Sequence, residues 1–349
     1  MKKYPDKKIL LALLFVGACA SFIGARLEGY GPVVAGKLDI NTASVLGIPV
    51  EQNTEGLTPL TPHTPPEVTV GFVGDIMMDR GVKYSVMKNF SGDYSMLFAD
   101  ADFLKTPDIM FGNLEGPASD KGSDIHNLYS FRMDPAVLPL LKEKGFDVLS
   151  LANNHMGDWT VKAFIDTLNR VKDTGIIPCG AGMNKKEAVQ PAVLEKDGYK
   201  IGFVCFTDVG PTGLAATETK AGLLLASDPE YDTIIKNASS HVDALIVSFH
   251  WGVEYKKVHN TRQEELAKRA IDAGATAVAG HHPHVSQDIG EHKGSPIFYS
   301  FGNFIFDQSF SEETMKGLFV ATTLKGKEII DTKVHQVVLD KNFAPSLEN

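Results

Sequence analysis

The sequence predicts an α/β protein built on mixed sheets, on three observations. Short β-branched and aromatic runs such as Val68–Val73 (VTVGFV) and Val242–Phe249 (VDALIVSF) recur along the chain, each of a length and apolarity that suit a buried strand. Between them lie stretches of helical length and amphipathic pattern, among them Pro135–Lys144, which closes on Gly145. An Asp197-Gly198 step joins two further strand-like runs as a hairpin, so the sheet is not purely parallel.

The amino terminus belongs to another kind of segment. Lys2, Lys3, Lys7 and Lys8 flank the apolar run from Ile9 to Gly24, the pattern of an export or anchoring sequence. That run is shorter than the roughly 20 residues that span a bilayer. Ala18-Cys19-Ala20 has the small-x-small spacing that a signal peptidase cuts, and Val16–Cys19 (VGAC) resembles a bacterial lipobox. A cleaved signal, a lipid-bearing Cys19 and a retained anchor are the alternatives for residues 1–24, and all place the remainder of the chain in the cell envelope, outside the cytoplasm. Residues 25–67 carry little periodicity, and Thr58–Pro66 (TPLTPHTPP) reads as a stiff extended spacer. One large domain, residues 68–349, is expected beyond it.

Within that domain Val68–Val73 opens at Gly74-Asp75, so an acid stands where a buried strand gives way to a loop. Asp79 and Arg80 come soon after, neighbours for a surface ion pair. Pro107–Phe111 leads into GNLEGP (112–117), which sets Glu115 at a second strand tip, and Phe146–Leu151 leads into Ala152-Asn153-Asn154-His155 at a third. Asp158, Trp159 and the helix Val161–Lys172 come next, then the hairpin of Ala192–Glu195 with Lys200–Phe206. After the helix Pro229–Ser239, strand Val242–Phe249 runs straight into His250-Trp251-Gly252, with Glu254 and Tyr255 just beyond. The helix Glu264–Ala273 returns the chain to Ala277–Ala279, whose tip is the loop Gly280-His281-His282-Pro283-His284. Leu318–Leu324 and Glu328–Leu339 form a closing hairpin. Cys179 and Cys205 sit in apolar runs, where buried free thiols are favoured over a disulfide.

Polar groups at the ends of buried strands are costly unless they find partners. Asp75, Glu115, Asn154, His250, His282 and His284 recur at such ends, and this mixture of carboxylate, amide and imidazole suits one or two divalent ions such as manganese, iron or zinc. His281 is an alternative to His282. Ions held this way assist hydrolysis, with His155 placed to give a proton to a leaving group and Asp75 and Glu115 at the reacting centre. Arg132, Trp251, Glu254 and Asn303 are candidate substrate contacts, Arg132 because a guanidinium fork suits carboxylate or phosphate. The net charge of -9 excludes the basic footprint of a nucleic-acid binder.

Seven pieces, VGDIMMDRG, NLEGP, FRMDP, LANNHMGDW, HWGVEY, GHHPHV and PIFYSFGNFIFD, run in that order from Val73 to Asp307. Together they resemble CapA-type capsule synthesis proteins, which are associated with poly-γ-glutamate capsules and are similar to calcineurin-like metallophosphoesterases. The resemblance implies a four-layer sandwich, with two mixed sheets packed between helices and a metal site at the strand ends. It implies that Asp75 is the first metal-binding aspartate, Glu115 the bridging carboxylate, Asn154 the amide ligand and His155 the proton donor, with His250, His282 and His284 as later ligands. It further implies an anionic polymer as substrate, with the membrane and capsule synthase membrane subunits as partners. Two departures stand out: Met77 occupies a position where the resemblance leads one to expect a histidine, and Glu115 replaces an aspartate.

Overall fold

The computed structural model describes residues 65–348. The export-like segment and nearly all of the expected spacer therefore lie outside the described residues. Among those described, no helix is long and apolar enough to cross a membrane.

In chain order the first half contains β1 (Glu67–Ile76), α1 (Arg80–Asn89), β2 (Ile109–Leu114), α2 (Val137–Glu143), β3 (Phe146–Ser150), α3 (Thr160–Asp173) and β4 (Ile177–Cys179). Next come β5 (Ala181–Gly182), α4 (Lys185–Ala188), β6 (Ala192–Lys196), β7 (Tyr199–Thr207), β8 (Gly222–Leu223), α5 (Tyr231–Ser239), β9 (Ala244–His250), α6 (Thr261–Asp272) and β10 (Ala277–His281). The chain closes with β11 (Ile289–His292), β12 (Ser295–Phe298), β13 (Asn303–Ile305), β14 (Lys316–Lys325), β15 (Glu328–Leu339) and β16 (Pro345–Leu347).

Two sheets hold most of these strands. The first has the order β16-β15-β14-β1-β2-β3-β4 with β13 also beside β1, and the second the order β11-β12-β10-β9-β7-β6; β5 and β8 form a separate ribbon. Both are mixed, because β1 to β4 run parallel while β14 lies antiparallel to β1, and β7, β9, β10 and β12 run parallel between the antiparallel edges β6 and β11. Their facing sides bury one apolar layer, in which Phe72 stacks on Phe301 at 5.8 Å and Phe111 on Phe203 at 5.3 Å.

Helices cover the two outer faces. Val82 and Val86 of α1, Leu138 and Leu141 of α2 and Phe164 and Leu168 of α3 pack on the first sheet, while Ile235 of α5 and Leu266 and Ala270 of α6 pack on the second. The reason is amphipathicity: α3 buries Ala163, Phe164, Thr167, Leu168 and Val171, one stripe at helical spacing. A capping box between Asn260 and Gln263 starts α6. The result is the expected four-layer order of helices, sheet, sheet and helices.

Three expectations are corrected. The strand tips reach further than the apolar runs: Gly74 and Asp75 remain in β1, and Gly280 and His281 remain in β10, paired with Phe249 and His250. Buried backbone needs a ladder partner, and these tips have one. Cys179 and Cys205 are joined in a disulfide, with Cα atoms 5.4 Å apart, rather than free. They sit on β4 and β7, which meet across the inter-sheet layer, so the bond ties one sheet to the other. Arg80 pairs with Asp307 and not with Asp79, because Asp79 accepts the Arg132 backbone N–H at 2.8 Å.

Candidate metal centre

The carboxyl ends of β1, β2 and β3 in the first sheet meet those of β9 and β10 in the second, and the chemistry-bearing residues converge there. Close approach at this rim needs residues without a side chain. A Cβ on Gly74 would lie 1.9 Å from the Gly302 carbonyl oxygen, and one on Gly280 would lie 2.1 Å from that of Tyr299. That proximity lets the Asp75 N–H donate to Gly302 at 3.0 Å and fixes the aspartate above the junction of β1 and β13.

Two groups of three ionisable donors result. Asp75, Glu115 and His250 form one, Glu254, His282 and His284 the other, and within each the ligand atoms lie within 4.8 Å of one another. Asn154 joins the first, its Oδ1 2.7 Å from His250 Nε2. The groups touch: His284 Nε2 is 3.5 Å from Glu115 Oε1, and the His250 and His282 rings are 4.8 Å apart between centroids. All six predicted ligand positions are thus brought together, with Glu254 added. His281 lies beneath them, its ring against Phe111 and Phe301 and its Nδ1 3.3 Å from Asp75 Oδ1.

The donor set fits a divalent ion. Glu115 Oε1 and His282 Nδ1 are buried without a hydrogen-bond partner among the described residues. An acceptor oxygen and a ring nitrogen, both orphaned within one buried cluster, are groups that a bound ion would satisfy.

Charge regulation in the metal-free chain agrees. Burial alone would raise the Asp75 carboxyl, but His281 and His284 hold it well below the usual carboxylate range. Glu115 is pushed well above its usual range by burial, with Asp75 and Glu254 adding like charge. Burial and the neighbouring His282 push His250 down, and burial with His284 lowers His282 to about 3, so both rings are neutral and able to ligate. His284 resists its own burial: Glu115 and Asp75 raise it to about 9.

Neighbouring amides set the geometry. Asn113 donates to Asp75 Oδ1 at 2.8 Å, and Asn153 braces Asn113 from behind, donating to its Oδ1 at 3.2 Å and to the Leu114 carbonyl at 2.8 Å. Neither amide is among the site residues expected from the sequence, although both stand in the strand-tip pieces GNLEGP and LANNHMGDW. His155 Nδ1 lies 2.8 Å from Asp158 Oδ2, which turns Nε2 toward the donors, 3.8 Å from Glu115 Oε1.

A cavity of about 190 Å³ adjoins the centre and is walled by His155, Glu254, His284, Arg80, Phe131 and Tyr255 with their neighbours. Of the four candidate substrate contacts, Glu254 alone lines it. Arg132 is turned away, its guanidinium 3.6 Å from the centre of the Trp159 ring. Trp251 is fully buried, stacked on Phe249 at 4.4 Å with its N–H donated to the Tyr299 carbonyl. Asn303 is buried behind His284, its Oδ1 3.0 Å from His284 Nδ1, and does not line the cavity. Met77 packs with Phe131 and Phe306 in a small apolar cluster.

The family model for the bacterial capsule synthesis protein PGA_cap matches residues 69–308. The chain is similar to the capsule biosynthesis protein CapA of Bacillus anthracis, 36% identical over 272 residues, which covers 74% of this chain and 65% of that protein. It is also similar to the PGA biosynthesis protein CapA of Bacillus subtilis strain 168, 35% identical over 251 residues, covering 70% of this chain and 64% of that one. The match thus spans slightly less than two thirds of either relative's length. Among solved structures, a phosphatase from Mycoplasma pneumoniae aligns with a TM-score of 0.49 at 16% identity, over 80% of this chain and 96% of that one.

Proposed function

The chain belongs to the bacterial capsule synthesis protein family PGA_cap, and from that membership and the site we propose a metal-dependent hydrolase or transferase acting on an anionic capsule polymer such as poly-γ-glutamate. The observation that carries this reading is the pair of adjoining donor groups in which Glu115 Oε1 and His282 Nδ1 have no hydrogen-bond partner among the described residues. Asp75, Glu115, Asn154 and His250 would hold one ion, and Glu254, His282 and His284 a second. Lewis acidity is what bound manganese, iron or zinc supplies there. The protein's own part is positional. Asp75 carries the fixed negative charge of the buried rim and Glu115 would add its carboxylate against an ion, Asn113 and Asn303 fix the direction of their neighbours, and His155, its ring directed by Asp158, presents Nε2 toward the leaving group.

The reading puts the domain on the extracytoplasmic face of the envelope, beside the membrane subunits of a capsule synthase. The disulfide supports this, since structural disulfides persist in oxidising compartments. The test is elemental analysis of protein prepared with manganese, iron or zinc, together with polymer cleavage by Asp75→Ala and His250→Asn. Absence of stoichiometric metal, or unchanged cleavage in both variants, would end the proposal.

A second reading has one observation in its favour. Met77 sits buried and apolar where a further imidazole is expected from the resemblance, which suits a non-catalytic component that binds polymer or partners through a relic site. On that reading, strains carrying alanine at the donor positions still make capsule; loss of capsule counts against it.

A further inference from the structure

Four residues at the metal centre and its cavity have left-handed backbone without being glycine: Arg80 (φ 48°), Tyr255 (φ 63°), His282 (φ 97°) and His284 (φ 57°). Such conformations are strained for a residue with a side chain and persist where the surroundings impose them, characteristically at functional sites. The donor set accounts for the two histidines. It does not account for Arg80 and Tyr255, which are not metal ligands but wall the same cavity.

Arg80 is held from several sides. Asp307 accepts from its Nε at 3.1 Å and from its Nη2, and also from the Gly81 backbone N–H at 2.9 Å. The Phe131 ring lies 4.6 Å from the guanidinium carbon and the Tyr129 ring 5.9 Å. A Cβ on Gly81 would fall 2.8 Å from that of Asp307, so the turn is shaped around this pair. The Arg80 side chain is 32% exposed while that of Asp307 is 10% exposed, and both line the cavity, so the guanidinium meets it paired with a more buried carboxylate. Asp307 engages Nε and Nη2, and Nη1 has no hydrogen-bond partner among the described residues. Around the mouth stand Tyr129, Tyr255 and Phe310, which are 58%, 43% and 66% exposed.

We propose that Arg80 is a substrate-binding residue whose free Nη1 edge receives a carboxylate of the polymer, while the aromatic rim carries the methylene portion of the same chain. The inference rests on the functional reading above and deepens it by naming the recognised group. A carboxylate fits better than a phosphate on charge: Asp307 already offsets the guanidinium and Glu254 adds a further negative group, so a singly charged planar ligand meets less repulsion than a dianion. Arg80 thereby takes the role that its sequence position within VGDIMMDRG does not reveal and that Arg132, stacked on Trp159, does not fill.

The experiment is calorimetric titration of the manganese-loaded full chain with a γ-linked glutamate pentamer and with the same pentamer carrying amides in place of its α-carboxylates. Wild type is expected to prefer the acid by about tenfold or more, the scale of one charge-assisted hydrogen bond. Arg80→Gln loses that preference, Arg80→Lys keeps part of it and Arg132→Gln keeps all of it, with bound manganese unchanged in each. Because Arg80→Gln leaves Asp307 unpaired, the double variant Arg80→Gln/Asp307→Asn removes both charges and is checked for a native melting transition. A folded, manganese-replete double variant that still prefers the acid overturns the proposal while sparing the functional reading. Wild type that binds neither pentamer sinks the functional reading and this inference with it.

Discussion

Asn303 Oδ1 lies 3.0 Å from His284 Nδ1, while the amide nitrogen of the same residue donates to the Thr314 carbonyl at 2.8 Å and to Gln308 at 3.1 Å. With its donors engaged elsewhere, the amide can present only its oxygen to the imidazole. The ring must then carry its proton on Nδ1 to satisfy that oxygen, which leaves Nε2 as the nitrogen that would meet an ion. Asn303→Leu is expected to weaken metal binding by about 10–100-fold, the usual scale for such outer contacts. Competition against a chromophoric chelator measures it, and an unchanged dissociation constant would show that His284 needs no such guide.

The His155–Asp158 contact yields a kinetic prediction. Asp158 also accepts the Phe131 backbone N–H at 2.9 Å and the Asn127 amide at 2.9 Å, so it is fixed before it orients the ring. His155→Ala should lower turnover by about 10²–10⁴-fold with metal stoichiometry intact. A variant that loses its metal instead would place His155 among the ligands.

Proton and metal compete at His284. Its ring is raised to about 9 by Glu115 and Asp75 against the effect of burial, so the metal-free protein holds a proton there at neutral pH. A ligand must lose that proton; metal affinity therefore rises with pH up to about 9 and binding releases protons. The stability signs are then set. The raised His284 stabilises the metal-free fold fully below its unfolded value and loses that contribution as pH climbs through about 9. Asp75, held low, contributes above its unfolded value and loses its share as pH falls, whereas Glu115, held high, becomes a burden as pH rises. Urea midpoints of chelator-treated protein should drop between neutral pH and pH about 9.5, and those of metal-loaded protein should change less. Identical pH profiles for the two forms would refute the coupling.

The disulfide makes a separate prediction about the fold. Cys179 and Cys205 are 26 residues apart, and closing a loop of that size restricts the unfolded chain by about 3.5 kcal/mol. The double variant Cys179→Ser/Cys205→Ser should lower unfolding stability by about 2–4 kcal/mol, read from denaturant midpoints at constant m. A shift near zero would mean that apolar packing between β4 and β7 carries the join unaided.

Much of the architecture is legible in local pattern. Strand runs such as Val242–Phe249 stand out because a buried parallel strand is apolar along its whole length, and the closing hairpin of β14 and β15 appears where its alternation places it. Helix α1 is harder to read. Its sequence, RGVKYSVMKN, buries only Val82, Ser85 and Val86, and it begins at a left-handed arginine that no helix-start rule anticipates. Local pattern also ends β1 and β10 too early, because Gly74 and Gly280 look like loop residues, whereas in the fold they allow backbones to meet.

The order of the strand-tip motifs and the types of their side chains were determined by the sequence alone, since a carboxylate, amide or imidazole after a buried run has few inexpensive fates. Tertiary packing decided the partnerships: Arg80 with Asp307 across 227 residues, Cys179 with Cys205 across two sheets, Asn303 behind His284, and Arg132 turned out onto Trp159. The physical reason is range. Periodicity reports which face of an element is buried, but which polar group meets which depends on how two sheets stack, and that is fixed only when the apolar layer between them closes.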